Sequence, residues 1–397
     1  MSMSLPLADR ALELVLRDRV RFGVGAIRSL GELIEEFGER AFVVTDSGVM
    51  AAGVLATVVE ALERRGVPHA QFTEVEPNPG ATVVERGAAA LRAFGLEGTV
   101  VVGVGGGSAM DTAKAVSLLA ANEGGPWDLG YDDPALTPGR PVIAVVTTAG
   151  TGAETNSFGV ITDEAARRKS YIGHPSLLPV ATILDPALTV ALPPAATAAT
   201  GIDAMTHSLE SLLSAHPNPY AEAMALAVVR TVGEWLPRAV ADGTDLEARS
   251  RMLLASHLAG MGQASGTGVG LVHALGHALG TRGRLPHGTA LAVVLPEVLA
   301  FYLEEPGLRD RELALVGVAL AAASPTEQPA TGAGAAIGQV RRLCTRVGQR
   351  PTLRQLGFDD ETLDLVAADA IDDPAIRNSP RIPSLAEARA ILASVAG

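Results

Sequence analysis

Two short polar pairs carry the chemistry latent in this sequence. Asp203 and His207 are four apart in Gly201-Ile202-Asp203-Ala204-Met205-Thr206-His207. His273 and His277 repeat that spacing in Leu271-Val272-His273-Ala274-Leu275-Gly276-His277, and Pro286-His287-Gly288 follows. On a helix, residues four apart share a face, one turn from each other. The chain has 8 histidines, and four of them fall in these motifs. One carboxylate with three imidazoles is a full donor set for a divalent transition metal. A lone histidine in an apolar helix is ordinarily a satisfied core residue. That reading, or a surface one, applies to His216 and His257. The motif histidines differ because several polar groups share strongly apolar surroundings, such as Val269-Gly270-Leu271-Val272. Each costs kilocalories to bury unless something satisfies it. Spacing alone leaves a shared cation and a set of separate core histidines both open.

A second kind of chemistry is written in glycine. Gly105, Gly106 and Gly107 stand where the apolar run Thr99-Val100-Val101-Val102-Gly103-Val104 gives way to a helical pattern beginning near Ala109. Glycine there lets backbone amides approach a phosphate, and a helix N-terminus adds a favourable dipole. The dinucleotide fingerprint itself is absent, because Ser108 stands at its last glycine position. A purely structural turn therefore stays open. Thr147 to Gly152 forms a second glycine-rich strand exit, and ligands of open α/β sheets bind at the carboxyl ends of strands. Asp46 also ends a strand. It is placed either to accept from a ribose hydroxyl, which would disfavour the 2′-phosphate of NADP against NAD, or to cap the helix that follows.

These residues need elements to hold them. Apolar runs at Arg40–Asp46, Ala70–Thr73, Thr99–Val104, Pro141–Thr147 and Val180–Asp185 read as buried strands. Helical periodicity at Val49–Arg65, Ala81–Phe94 and Ala109–Ala121 alternates with them. Val160–Thr162 and Lys169–Ile172 read as a hairpin, and Trp127 and Tyr131 as part of a loop. Alternation of this kind predicts a doubly wound, mostly parallel sheet. After Leu192-Pro193-Pro194 the β-branched runs nearly vanish. Nine helices are expected: Ala195–Leu213, Tyr220–Leu236, Leu246–Ala259, Val269–Leu279, Thr289–Leu303, Arg309–Ala323, Ala330–Val347, Asp360–Ala370 and Ser384–Val395. The expected division is an α/β dinucleotide-binding domain over 1–191 and an all-α metal-binding and substrate domain over 192–397.

Bulk composition narrows the function class. With 397 residues, 48% of them hydrophobic, the chain can bury a large core. A formal charge of −13 and no basic run argue against a nucleic-acid partner. Cys344 is the single cysteine, which excludes an internal disulfide and points to a reducing compartment; it reads as packing. Met1 to Leu16 lacks the apolar core of a secretion signal, and no apolar run reaches the ~18 residues of a membrane span. A cytoplasmic protein with no membrane partner is the expectation.

With both halves read, the chain resembles the iron-dependent (group III) alcohol dehydrogenases along nearly its whole length. The motifs that carry the resemblance are Gly105 through Lys114, Thr147 through Glu154, Gly201 through His207, and His273 through His287. The resemblance implies a fold like that of dehydroquinate synthase, a cleft between the halves and a homodimer. It implies Asp203, His207, His273 and His287 as ligands of Fe(II), with Zn(II) as the substitute, and His277 beside the nicotinamide, where it would relay a proton. It implies coenzyme contacts at Gly105, Gly106, Gly107, Ser108, Thr147, Thr148, Thr151, Lys169 and Leu188, with Asn78 in a Pro-Asn-Pro loop and Asp46 selecting NAD over NADP. The substrate would be a small alcohol or aldehyde.

Two departures bear on which one. Gln263 to Gly268 is small and glycine-rich where relatives often carry bulkier residues, and Phe158 replaces a residue that is polar in some. Arg377, in the loop Ile376–Arg381, either holds an acidic group of the substrate or is an ordinary solvated arginine. Metal-independent reductases resembling maleylacetate reductase are the competing activity. Lyases resembling dehydroquinate synthase come next, and a binding protein that has lost catalysis is the remaining reading.

Overall fold

Seven consecutive residues of one strand, Thr99–Gly105, are all buried, and the N-terminal half is layered around them. The computed structural model describes residues 19–130, 133, 135–164 and 168–397. Tyr131 and the segment read as lacking a secretion signal lie outside the described residues. The strands are β1 Val20–Phe22, β2 Arg40–Asp46, β3 His69–Val75, β4 Thr99–Gly105, β5 Val142–Val146, β6 Phe158–Asp163, β7 Arg168–Gly173 and β8 Ala181–Leu184. Six of them form one sheet in the order β1-β8-β5-β4-β2-β3, and every pair in it is parallel. The expected hairpin, β6 with β7, is a separate antiparallel ribbon.

The helices of this half are α1 Leu30–Phe37, α2 Ser47–Ala51, α3 Val54–Glu63, α4 Ala81–Phe94 and α5 Gly107–Ala121. They cover both faces of the sheet. Along β2, Ala41 and Val43 pack with α1 and α3 on one side, while Phe42 and Val44 pack with α4 and α5 on the other. Period-two side-chain alternation on a strand buried from both faces accounts for its unbroken apolar run.

The run expected as one helix over Val49–Arg65 is two. Gly53, at φ +74°, takes the left-handed conformation that ends a helix, and the chain restarts at Val54. β1 was not expected; three residues at a sheet edge give too short a periodic signal to read.

Among the described residues all nine helices of the second half are present: α6 Pro194–Leu213, α7 Pro219–Ala241, α8 Leu246–Gly262, α9 Leu271–Gly283, α10 His287–Leu303, α11 Asp310–Ala319, α12 Pro329–Arg346, α13 Asp360–Asp372 and α14 Leu385–Ser394. α6 is the axis of this half, buried from Gly201 through Leu213 and packed on α7, α8 and α10. α7 runs past Pro237, where the expected helix stopped. α11 ends at Ala319 instead of Ala323, because Ala321 takes φ +53° and the turn closes. Cys344 is buried in α12, and burial pushes its thiol up to about 12, which suits packing and not redox chemistry. No helix among the described residues is long and apolar enough to cross a membrane.

Candidate active site

A cavity of about 540 Å³ lies between the two halves, within the range of small-molecule and cofactor sites. Its sheet-side wall includes Asn78, Gly107, Ser108, Asp111, Thr151, Phe158, Lys169 and Tyr171. Its helical wall includes Asp203, His207, His273, His277 and His287.

On the helical wall, α6 presents Asp203 and His207 one turn apart, α9 presents His273 and His277 likewise, and His287 opens α10. The donor atoms of Asp203, His273 and His287 lie within 4.8 Å of one another. Asp203 Oδ1 is 3.4 Å from His207 Nδ1 and 3.7 Å from Nε2 of both His273 and His287. His207 also packs its ring on that of His273, centroids 4.7 Å apart. Asp203 Oδ1, His207 Nδ1 and His273 Nε2 are buried with no hydrogen-bond partner. Three orphaned polar atoms aimed at one spot are costly without a shared occupant. Donors ~2.1 Å from a tetrahedral ion stand roughly 3.4 Å apart, close to the separations of the three imidazole nitrogens from Asp203 Oδ1; His207 falls outside the set whose donors are all within 4.8 Å of one another. The residues fit a divalent cation.

The charge distribution agrees. Burial resists ionisation of Asp203, but the imidazoles of His207, His273 and His287 outweigh it and hold the carboxyl well below its usual range. Burial also opposes a charged His273, yet the carboxylates of Glu210 and Asp203 push it up to about 9. His287 is open to the cavity on one side but deep in the molecule, and desolvation drives it down to about 3. A proton can satisfy only part of this set.

Glu210 was not singled out from sequence. Its carboxylate accepts from His273 Nδ1 at 2.5 Å and from the Val272 amide at 2.7 Å, leaving His273 Nε2 to face Asp203. The signal existed: Asp203, His207 and Glu210 fall at successive turns on one face of α6. His277 lines the cavity too, and its Nδ1 donates to Asp373 Oδ2 at 2.8 Å. Asp373 lies in a loop with nothing in the sequence to connect it to α9.

On the opposite wall, the three glycines are held by the absence of side chains. A Cβ at Gly105, which has φ +150°, would meet Ala109 at 2.6 Å; one at Gly106 would meet Thr148 at 2.9 Å, and one at Gly107 would meet Thr151 at 2.9 Å. The two glycine-rich strand exits are therefore knitted together, and the Thr147 amide donates to the Gly105 carbonyl at 3.0 Å. Lys169 Nζ donates to Asn78 Oδ1 at 2.7 Å and to Thr162 Oγ1 at 3.0 Å. Burial brings Lys169 down to about 8 and lifts the nearby Asp111 carboxyl to about 6.

Asp46 caps α2, accepting from the Val49 amide at 3.0 Å. Its other oxygen stays close to Gly105 at the carboxyl end of the sheet. Of the residues expected to contact coenzyme, Asn78, Gly107, Ser108, Thr151 and Lys169 line the cavity. Gly105, Gly106, Thr147 and Thr148 are not on that lining. Leu188 is buried among the apolar residues under the sheet, away from the cavity lining.

Phe158 stands edge-on to Tyr171, centroids 5.4 Å apart, and both line the cavity with Gln263, Gly266, Gly268 and Asn378. Arg377 is exposed and falls outside the lining, so the solvated reading holds. His257 is buried.

A half built on a parallel sheet joined to an all-helical half is a fold found in known proteins. The chain matches the family model described as iron-containing alcohol dehydrogenase over residues 18–186. It matches the C-terminal model of the Fe-containing alcohol dehydrogenase family over residues 197–396. It belongs to this family, and its reaction class is that of the alcohol dehydrogenases.

Among its relatives, the NAD-dependent methanol dehydrogenase of Bacillus methanolicus is 33% identical over 93% of this chain and 96% of that protein. The lactaldehyde reductase of Escherichia coli (strain K12) is 33% identical over 94% and 97%. Among solved structures, a 1,3-propanediol oxidoreductase superposes with a TM-score of 0.92 at 33% identity, covering 97% of this chain and 100% of that one.

Proposed function

We propose that the protein catalyses metal-dependent, NAD-linked interconversion of a small alcohol and its aldehyde or ketone in the cavity between its halves. The observation that carries this is the convergence of the orphaned Asp203 Oδ1, His207 Nδ1 and His273 Nε2 on a cavity whose other wall is a pair of glycine-rich strand exits. Asp203, His207, His273 and His287 would hold Fe(II), with Zn(II) as the substitute, since imidazole suits both ions. When bound, the ion supplies Lewis acidity at the substrate oxygen, and the nicotinamide supplies or accepts the hydride.

The rest of the work falls to the chain's own groups. The first-turn amides at Gly107 and Ser108, at the start of α5 and on the cavity lining, suit the pyrophosphate of a dinucleotide. The clamped Thr147–Thr151 loop walls that seat, with Thr151 facing it, and Lys169 and Asn78 form its far edge. Asp46, with one oxygen directed to the sheet end, favours NAD over NADP. His277, its Nδ1 engaged by Asp373, keeps Nε2 for a proton moving between substrate and solvent. Phe158, Tyr171 and the small residues Gly266 and Gly268 leave room for a short carbon chain. Lys169 is the lysine on the lining and is already engaged by Asn78 and Thr162. That arrangement supports an uncharged substrate better than an acidic one.

The test is purification with metal analysis, followed by NADH absorbance on a panel of short alcohols and aldehydes, including methanol, 1,3-propanediol and lactaldehyde. Turnover that persists after the metal has been stripped would overturn the metal-dependent reading in favour of a metal-independent reductase. Turnover without net NADH formation or consumption would point to a lyase.

A further inference from the structure

Glu154 and His257 are 2% and 4% exposed, come from opposite halves of the molecule and play no part in the site described above. His257 Nδ1, on α8, donates to Glu154 Oε1 at 3.0 Å. Glu154 sits in the short 3-10 turn Ala153–Thr155 that ends the second glycine-rich exit.

The loop is gripped on every side. The Ala153 carbonyl accepts from Lys114 Nζ of α5, and Thr155 Oγ1 donates to the Gly152 carbonyl at 2.7 Å. The backbones of Gly152 and Gly260 touch: a Cβ on Gly152 would lie 2.6 Å from Gly260 Cα, and one on Gly260 would lie 2.8 Å from Gly152 Cα. Thr151, two residues before Ala153, presses on Gly107 at the start of α5.

We propose that Glu154 and His257 are a positioning pair that sets the coenzyme wall of the cavity, through Thr151 and Gly107, at a fixed separation from the Asp203 and histidine wall. Packing alone gives no reason for such a pair. A buried pair of this kind commonly contributes no more stability than two apolar side chains of similar volume. What it adds is direction, because a hydrogen bond fixes one register where apolar contacts slide. The consequence is read in coenzyme binding, so the inference rests on the NAD reading above.

The experiment compares wild type with His257→Leu, Glu154→Leu, the double variant and His257→Asn, whose Nδ2 stands near the place of the imidazole Nδ1. NADH dissociation constants come from fluorescence titration, kcat and coenzyme KM from turnover, and folding from Tm. Each single leucine variant should weaken NADH binding about tenfold or more, with a smaller change in kcat. The double variant should regain the Tm lost by the singles while its NADH binding stays weak, and His257→Asn should restore much of the affinity. A double variant that regains both Tm and wild-type NADH affinity overturns the proposal, as do single variants that bind NADH as wild type does. A wild type that binds no NADH overturns the coenzyme reading itself, and this inference with it.

Discussion

His277 Nδ1 and Asp373 Oδ2 stand 2.8 Å apart, though the two residues are 96 positions apart in the chain. Asp373 also caps the 3-10 turn that follows it, accepting from the Ala375 amide at 2.8 Å. One carboxylate thus anchors the C-terminal loop and fixes the orientation of an imidazole on the cavity wall, a pairing that sets which ring nitrogen is left for other work.

If His277 relays the proton, His277→Ala should lower kcat by about 10² or more. Asp373→Asn should lower it less, leaving NADH affinity within a factor of a few. The double variant should be little worse than His277→Ala, because the two act as a unit. Steady-state kinetics with parallel NADH titration decides it, and additive losses would show that the residues act separately.

Metal retention is the sharpest test of the cluster. Asp203→Asn should lose most of its bound metal and nearly all turnover, while Glu210→Gln should retain the site with roughly 10–100-fold weaker affinity. Stripping the wild type should lower its Tm, and adding Fe(II) or Zn(II) should restore it in a concentration-dependent way. Full metal content and full turnover in Asp203→Asn would refute the ligand assignment.

Asp46 ties coenzyme choice to a helix cap. Replacing it by Ser keeps an oxygen to accept from the Val49 amide and removes the negative charge. The ratio of kcat/KM for NADP to that for NAD should rise about tenfold or more, with Tm nearly unchanged. An unaltered ratio would reduce Asp46 to a cap.

Asp111 supplies a pH signature. Burial lifts its carboxyl from an ordinary 3.8 to about 6, so the folded protein holds this proton more tightly than the unfolded chain does. The stabilisation is fully present below pH ~3.8 and is lost as pH rises through about 6, at most about 3 kcal/mol from one group. Compared with Asp111→Asn across pH 4 to 7 by denaturant unfolding, wild type should therefore become relatively less stable as pH rises. Parallel curves would remove Asp111 from this account.

The features legible from residue order are those whose signal is local. β4 was legible as the six-residue run Thr99–Val104 that had to be covered on both faces, α4 has the bounds its periodicity predicts, and the i,i+4 pairs at Asp203 and His273 share a face on any helix. The glycine exits were legible as breaks between strand and helix, while the reason for the glycines, Thr148 and Thr151 standing where a Cβ on Gly106 or Gly107 would fall, needed the folded chain.

Pairings between distant segments became visible only in the folded chain. Glu210 reaches His273 over 63 residues, Asp373 reaches His277 over 96, and His257 reaches Glu154 over 103. No periodicity records such contacts. They exist because close packing of the helices brings distant polar side chains together, and a buried polar group is stabilised only where a partner meets it. That packing, not the motifs, fixes which ring nitrogen of His273, His277 and His257 is engaged by a carboxylate.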